Sequence, residues 1–141
     1  GGGEYYQANT ADEIQKVFED RNKEIDEIRN YRDCITNVTR QNRDEITRVA
    51  REQRDCLLEK ARTQRDGISG EARKLRDNKE ITWDCASNII TTAWNDAGVI
   101  INKAWSDAGE IINGAWNESS QIILDIWTQS GEDIRKLYGE K

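Results

Sequence analysis

Residues 83 to 138 read WDCASNIITTA, WNDAGVIINKA, WSDAGEIINGA, WNESSQIILDI, WTQSGEDIRKL, Y. An aromatic returns every eleven residues: Trp83, Trp94, Trp105, Trp116, Trp127 and Tyr138. Eleven residues make three α-helical turns at about 3.67 residues per turn, so each ring comes back to nearly the same azimuth. The repeat is therefore helical. Within a block the other apolar positions follow the Trp by three, six, seven and ten, as in Ala97, Ile100, Ile101 and Ala104. Together they cover an arc of about 130° at roughly 98° per residue, broader than the seam of a two-stranded coiled coil. One helix cannot bury such a stripe by itself, so the stripe calls for neighbouring helices.

The first half carries the same period in charged residues. Arg32, Arg43, Arg54, Arg65 and Arg76 recur every eleven, each followed by an Asp. A second ladder, Arg29, Arg40, Arg51, Arg62 and Arg73, stands four residues before those Asp residues, the reach of a helix-surface ion pair such as Arg51 with Asp55. These rows read as solvated rails. The apolar stripe here is thin: Ile35, Ile46, Leu57 and Ile68 beside Ala50, Ala61 and Ala72. Counting in elevens from Ile35 reaches Ile46, Leu57, Ile68, Lys79, Ile90, Ile101, Ile112, Ile123 and Ile134, so the phase persists through both halves with Lys79 as the one break.

That continuity predicts an all-α protein built on one very long helix, in a right-handed or nearly straight multi-helix coiled coil. Thr10 to Glu13 reads as a capping box that starts the helix, and Gly139 as the C-cap that ends it. The expected organisation is a non-helical segment over 1–9, an Arg/Asp-rich helix over 10–82, a Trp/Ile/Ala core helix over 83–138 and a tail over 139–141. A single helix over that span would be roughly 190 Å long. The alternative is a helical hairpin bending near 67–80, where Gly67 and Gly70 each cost about 1 kcal/mol relative to Ala and Lys79 interrupts the stripe.

Composition agrees with uninterrupted helix: there is no Pro and 34% of the residues are charged. No run of apolar residues is long enough to span a membrane, and no apolar signal segment is present. The chain starts with Gly1-Gly2-Gly3 in place of Met, which reads as a processed form, an internal piece or an engineered chain. A net charge of −6 argues against wrapping nucleic acid. There is no His and no CxxC, so no metal site or cofactor is expected. The carboxylates lie along rails instead of converging, so no catalytic residue and no small-molecule substrate is expected either, and the chain does not read as an enzyme.

Tryptophans at this spacing could stack on bases or sugars or anchor at a lipid interface. Small neighbours such as Ala97, Gly98, Ala108 and Gly109 instead favour interdigitated packing between helices. Trp83, Trp94, Trp105, Trp116, Trp127, Tyr138, Ile90, Ile101, Ile112 and Ile123 are the expected packing and assembly residues. Cys34 and Cys56 lie on one edge of the helix with Cys85 close to it. On one rod Cys34 and Cys56 stand about 33 Å apart, far beyond disulfide reach, so they either join neighbouring chains or stay as small thiols at the rim of the stripe. Asn37 and Asn117 open glycosylation sequons. With the cysteines they favour an extracellular fibre over the cytoplasm.

WNDAGVIINKAW and WSDAGEIINGAW resemble the eleven-residue Trp repeats of tape-measure proteins of long-tailed phages, over about residues 83 to 138. The resemblance implies an extended self-associating helix that sets a length. The resemblance also implies a virion as a location beside the extracellular fibre, but this chain is shorter than such rulers, its first half is Arg/Asp-rich, and three cysteines are unusual inside a virion. The expected function is a structural protein whose partners are copies of itself, forming a bundle or filament, with Trp105→Ala weakening assembly much more than Arg51→Ala. The alternative function is an amphipathic helix that binds lipid or another apolar surface.

Overall fold

A computed structural model describes the backbone of residues 2–139 and the side chains of residues 10–139. Every regular element among them is helical: α1 spans Gly2–Asp77 and α2 spans Trp83–Leu137. The chain groups into two compact units, one formed by Gly1–Asn42 with Glu118–Lys141, the other by Arg43–Asn117. Within each unit a stretch of α1 packs against a stretch of α2 running the opposite way.

The unbroken helix expected from the phase is thus interrupted once among the described residues, at 78–82, and in the unit of Arg43–Asn117 the two helices fold back on each other there, as the hairpin alternative had it. The stop is local chemistry. Lys79 takes the left-handed conformation, with φ of +60°, and the Lys79 amide donates to the Arg76 carbonyl at 3.0 Å while the Glu80 amide donates to the Leu75 carbonyl at 2.8 Å. Those are the two bonds of a Schellman motif, which normally seats a glycine where Lys79 sits. Thr82 then caps α2: its Oγ1 accepts from the Cys85 amide at 3.0 Å, and its carbonyl accepts from the Ala86 amide at 3.0 Å. Gly67 and Gly70, by contrast, remain inside α1. Their propensity cost is carried by the rest of a 76-residue helix.

Folding back also has a thermodynamic advantage over a rod. The stripe finds a partner in its own chain, without the estimated 4–15 kcal/mol of lost translational and rotational freedom that association costs. Since a left-handed L-residue is disfavoured by roughly 1–2 kcal/mol, Lys79→Gly is expected to stabilise the protein by about 0.5–1 kcal/mol net of the entropy glycine adds to the unfolded chain. Thermal unfolding by circular dichroism reads this directly; a lowered midpoint would contradict the Schellman assignment.

The two ends differ in how they meet expectation. α1 begins at Gly2, so helix runs through the residues expected to be irregular, and Thr10 lies inside a helix instead of capping one. Gly1 itself, and Glu140 and Lys141 of the expected tail, lie outside the described residues. At the other end Gly139 has φ of +78°, and its amide donates to the Lys136 carbonyl at 3.0 Å.

The seam between the helices is made mostly of small side chains. On α2 the buried positions are Ala86, Ala97, Ala108, Ser119 and Ser130, with Ala93, Ala104 and Ala115 between them; on α1 they are Ile25, Thr36, Thr47, Leu58 and Ser69, with Ala50, Ala61 and Ala72. Each of the longer rows advances by eleven. Small residues facing one another let two backbones approach closely, which leaves the bulky apolar residues at the margins. Trp94, Trp105, Trp116 and Trp127 are 46–52% exposed and Trp83 is 70% exposed, so within the single chain the indoles lie at the margin of the seam and not at its centre. Ile90, Ile101, Ile112 and Ile123 are half-buried. Gly98 and Gly109, read from the sequence as points of close approach, have nothing within 4 Å of where a Cβ would stand; the approach is made at Ala97 and Ala108 instead.

Candidate functional site

Each tryptophan has an arginine on its face. In the unit of Arg43–Asn117, the Arg43 guanidinium carbon stands 3.9 Å from the centre of the Trp116 ring, Arg54 4.1 Å from Trp105, Arg65 4.0 Å from Trp94 and Arg76 4.0 Å from Trp83. The other unit repeats the pairing: Arg32 lies 3.9 Å from Trp127, and Arg21 lies 4.5 Å from Tyr138 and 4.9 Å from Phe18. All fall within the roughly 6 Å over which a ring quadrupole attracts a cation.

The arginines reach these faces because they sit at the seam. Arg32, Arg43, Arg54, Arg65 and Arg76 each keep only 15–19% of their side chain exposed, their stems lying along apolar surface and their heads on the indoles. The Nε edge then meets the Asp that follows in sequence: Arg32 with Asp33 and Arg54 with Asp55 at 3.0 Å, Arg65 with Asp66 at 2.9 Å, Arg76 with Asp77 at 3.1 Å. Arg43 bonds Asp44 in the same way at 3.0 Å. Asp55 is therefore held by Arg54, where the sequence reading expected Arg51.

One rung shows a further tie. Trp127 Nε1 donates to Thr36 Oγ1 at 3.1 Å, and that hydroxyl donates to the Arg32 carbonyl at 2.8 Å. Arginine, tryptophan and threonine thereby close on one another. Thr47, in the equivalent place one repeat on, is 6% exposed and its Oγ1 has no hydrogen-bond partner.

Electrostatics follow the ion pairs. The hydrogen bond from Arg65 holds the Asp66 carboxyl below its ordinary value, with Arg65 and Arg73 charges adding to the effect. Glu45 is lowered by its bond to Arg48, and Arg48 is raised by its bonds to Glu45 and Glu52. A depressed carboxylate contributes stability that is present above the unfolded-state value and is lost as pH falls through the folded one. Asp66 should accordingly titrate below a model aspartate by carbon-13 NMR, and Arg65→Gln should return it to the ordinary range. No change on that substitution would count against the pairing.

Asp33, Asp44, Asp55, Asp66 and Asp77 bond the preceding arginines along open surface, and no three His, Cys, Asp or Glu side chains converge on a metal site among the described residues. No helix among them is long and apolar enough to cross a membrane. What the arrangement offers is surface. No protein family, curated protein or solved structure matches the chain.

Cys34, Cys56 and Cys85 are exposed free thiols, so they are not buried at the edge of the stripe. Asn37 on α1 and Asn117 on α2 are exposed, although Ser119 of the second sequon is buried in the seam. Sequence reasoning missed the arginine–tryptophan pairing altogether. The available signal was that both rows have a pitch of eleven and stand at equal distances on either side of residues 79 and 80.

Proposed function

We propose that the protein is structural and self-assembling: a helical hairpin that associates with copies of itself, by coiled-coil-like packing of repeated faces, into a bundle or filament. The observation that carries this reading is the inverted sorting of side chains. Alanine, serine and threonine fill most of the inside, joined there by Ile25 and Leu58, while Ile46, Leu57, Ile68, Ile100, Ile111 and Ile122 are 36–46% exposed in regular rows. Scattered surface apolar residues are ordinary, but contiguous exposed patches mark interaction sites. The exposed cysteines suit covalent locks between neighbours in an oxidising setting, and a ruler role of the kind the Trp blocks' resemblance implies would need this assembly.

Concentration dependence tests the reading. Sedimentation equilibrium of the intact chain without lipid is expected to show mass rising with concentration at constant helicity. A strictly monomeric chain would overturn it. If association and further helix formation occurred only with phospholipid vesicles, the lipid-binding alternative would replace it. The intact chain is a cleaner test than Trp105→Ala, because Trp105 also braces its own hairpin through Arg54.

A further inference from the structure

In the unit of Arg43–Asn117 one groove between the helices has large apolar side chains in its walls, with Gln64, Arg65 and Asp96 beside them. Ile68 of α1 and Ile100 and Val99 of α2 line it above Ala61, Ala93 and Ala97, and Ile68 with Ile89 and Thr92 lines its continuation. Ile68 is 41% and Ile100 40% exposed. The same rows supply Ile46 and Leu57 on α1 and Ile111 on α2, all more than a third exposed. We propose that this groove is the primary contact of the assembly, and that its occupant is the same groove of a second copy, with α1 of each copy lying on α2 of the other. The proposal deepens the self-assembly reading and rests on it.

Three observations select a second copy. First is pitch: the walls repeat every eleven residues, about 16.5 Å along a helix, and a surface with the same spacing is one this chain itself provides. Second is charge. The α1 stretch 43–77 carries ten basic and eight acidic residues, net +2, whereas the α2 stretch 83–117 carries one basic and four acidic, net −3. Pairing α1 with α1 and α2 with α2 would oppose like charge; crossing them opposes unlike charge. Third is size. The two stretches contain 35 residues each, and about a third of a helix faces one side, giving roughly 23 residues per copy. A standard interface uses about 20–30 a side.

The crossed pairing also fixes the symmetry. Two layers that place α1 on α2 are related by a two-fold axis along the helices, so the turns at 78–82 of both copies lie at the same end and every neighbouring helix in the four-helix layer pair is antiparallel. The opposite arrangement, with the axis across the helices, would stack α1 on α1 and put the turns at opposite ends.

Two measurements on the full chain decide it. In sedimentation equilibrium, Ile68→Gln with Ile100→Gln is expected to raise the dissociation constant at least about a hundredfold, since it removes four apolar walls per dimer. Leu57→Gln with Ile111→Gln provides a second pair on the same rows, and circular dichroism checks that each remains helical. In pulsed electron paramagnetic resonance, spin labels on Glu80→Cys, with Cys34, Cys56 and Cys85 changed to Ser, are expected within about 30 Å of each other between copies, given helix spacings of about 8–10 Å. Unchanged affinity in both apolar pairs, or labels about 50 Å apart or more, would overturn this interface while leaving self-assembly standing. A wild-type chain that stays monomeric would remove both.

Discussion

Ala104→Leu should destabilise the hairpin by about 1–3 kcal/mol, although it substitutes one good helix former for another. Ala104 is 3% exposed and lies in a seam whose width is set by side chains no larger than a few atoms at most positions. Three added carbons have nowhere to go without moving a backbone or forcing a poor rotamer, the usual cost of overpacking. The same exchange at an exposed helical position would change stability by little. The contrast sharpens with Gly109→Ala. A methyl there meets nothing within 4 Å, so the substitution should stabilise by roughly 1 kcal/mol through helix propensity alone. Urea unfolding of the two variants at a fixed protein concentration makes the comparison. If Ala104→Leu proved as stable as the parent, the seam would have to be wider than the buried alanines indicate.

The second large effect is expected at Trp105. About half of its surface is covered, and a fully buried Trp removes about 150–250 Å² from water. Covering about 100 Å² at roughly 25 cal/mol per Å² gives about 2.5 kcal/mol, to which the Arg54 contact adds about 0.5–1 kcal/mol. Trp105→Ala should therefore cost roughly 2–3.5 kcal/mol, the wide span reflecting how far neighbours relax. The pairing itself is isolated by a double-mutant cycle with Arg54→Ala, where a coupling of about 0.5–1.5 kcal/mol is expected. Arg54→Lys should not rescue it, because a compact ammonium lacks the planar stacking surface and the Nε edge that Asp55 accepts from. Additive single effects would mean the ring and the guanidinium merely lie near one another.

The helical character and the period of eleven were legible in the sequence because both are properties of the helix alone. The place of the break was half legible. Lys79 stands out as the charge in the isoleucine count, but the motif that ends α1 is a pattern of backbone bonds around a left-handed residue, and Lys is a poor advertisement for that conformation compared with Gly or Asn. Which side chains fill the seam of the single chain was not legible, for a physical reason. Hydrophobic size suggests Trp and Ile inside, whereas two long helices at close range admit alanine and serine and push the large rings to the edge. Once Trp stands at the edge, the arginine row ceases to be a solvated rail: it becomes the other half of the ladder. That pairing is invisible in a rod and follows at once from the reversal, since rows of equal pitch on either side of a turn must come into register.

Equal pitch has a cost as well. Two combs with identically spaced teeth can mesh at more than one offset, and sliding the arms by one full repeat would replace most indole–guanidinium pairs with equivalent ones, forfeiting only those at the ends. Side-chain packing thus discriminates weakly between neighbouring settings, and the five residues between α1 and α2 serve as the latch that selects one. Lengthening that connection would loosen the selection before it loosened the helices.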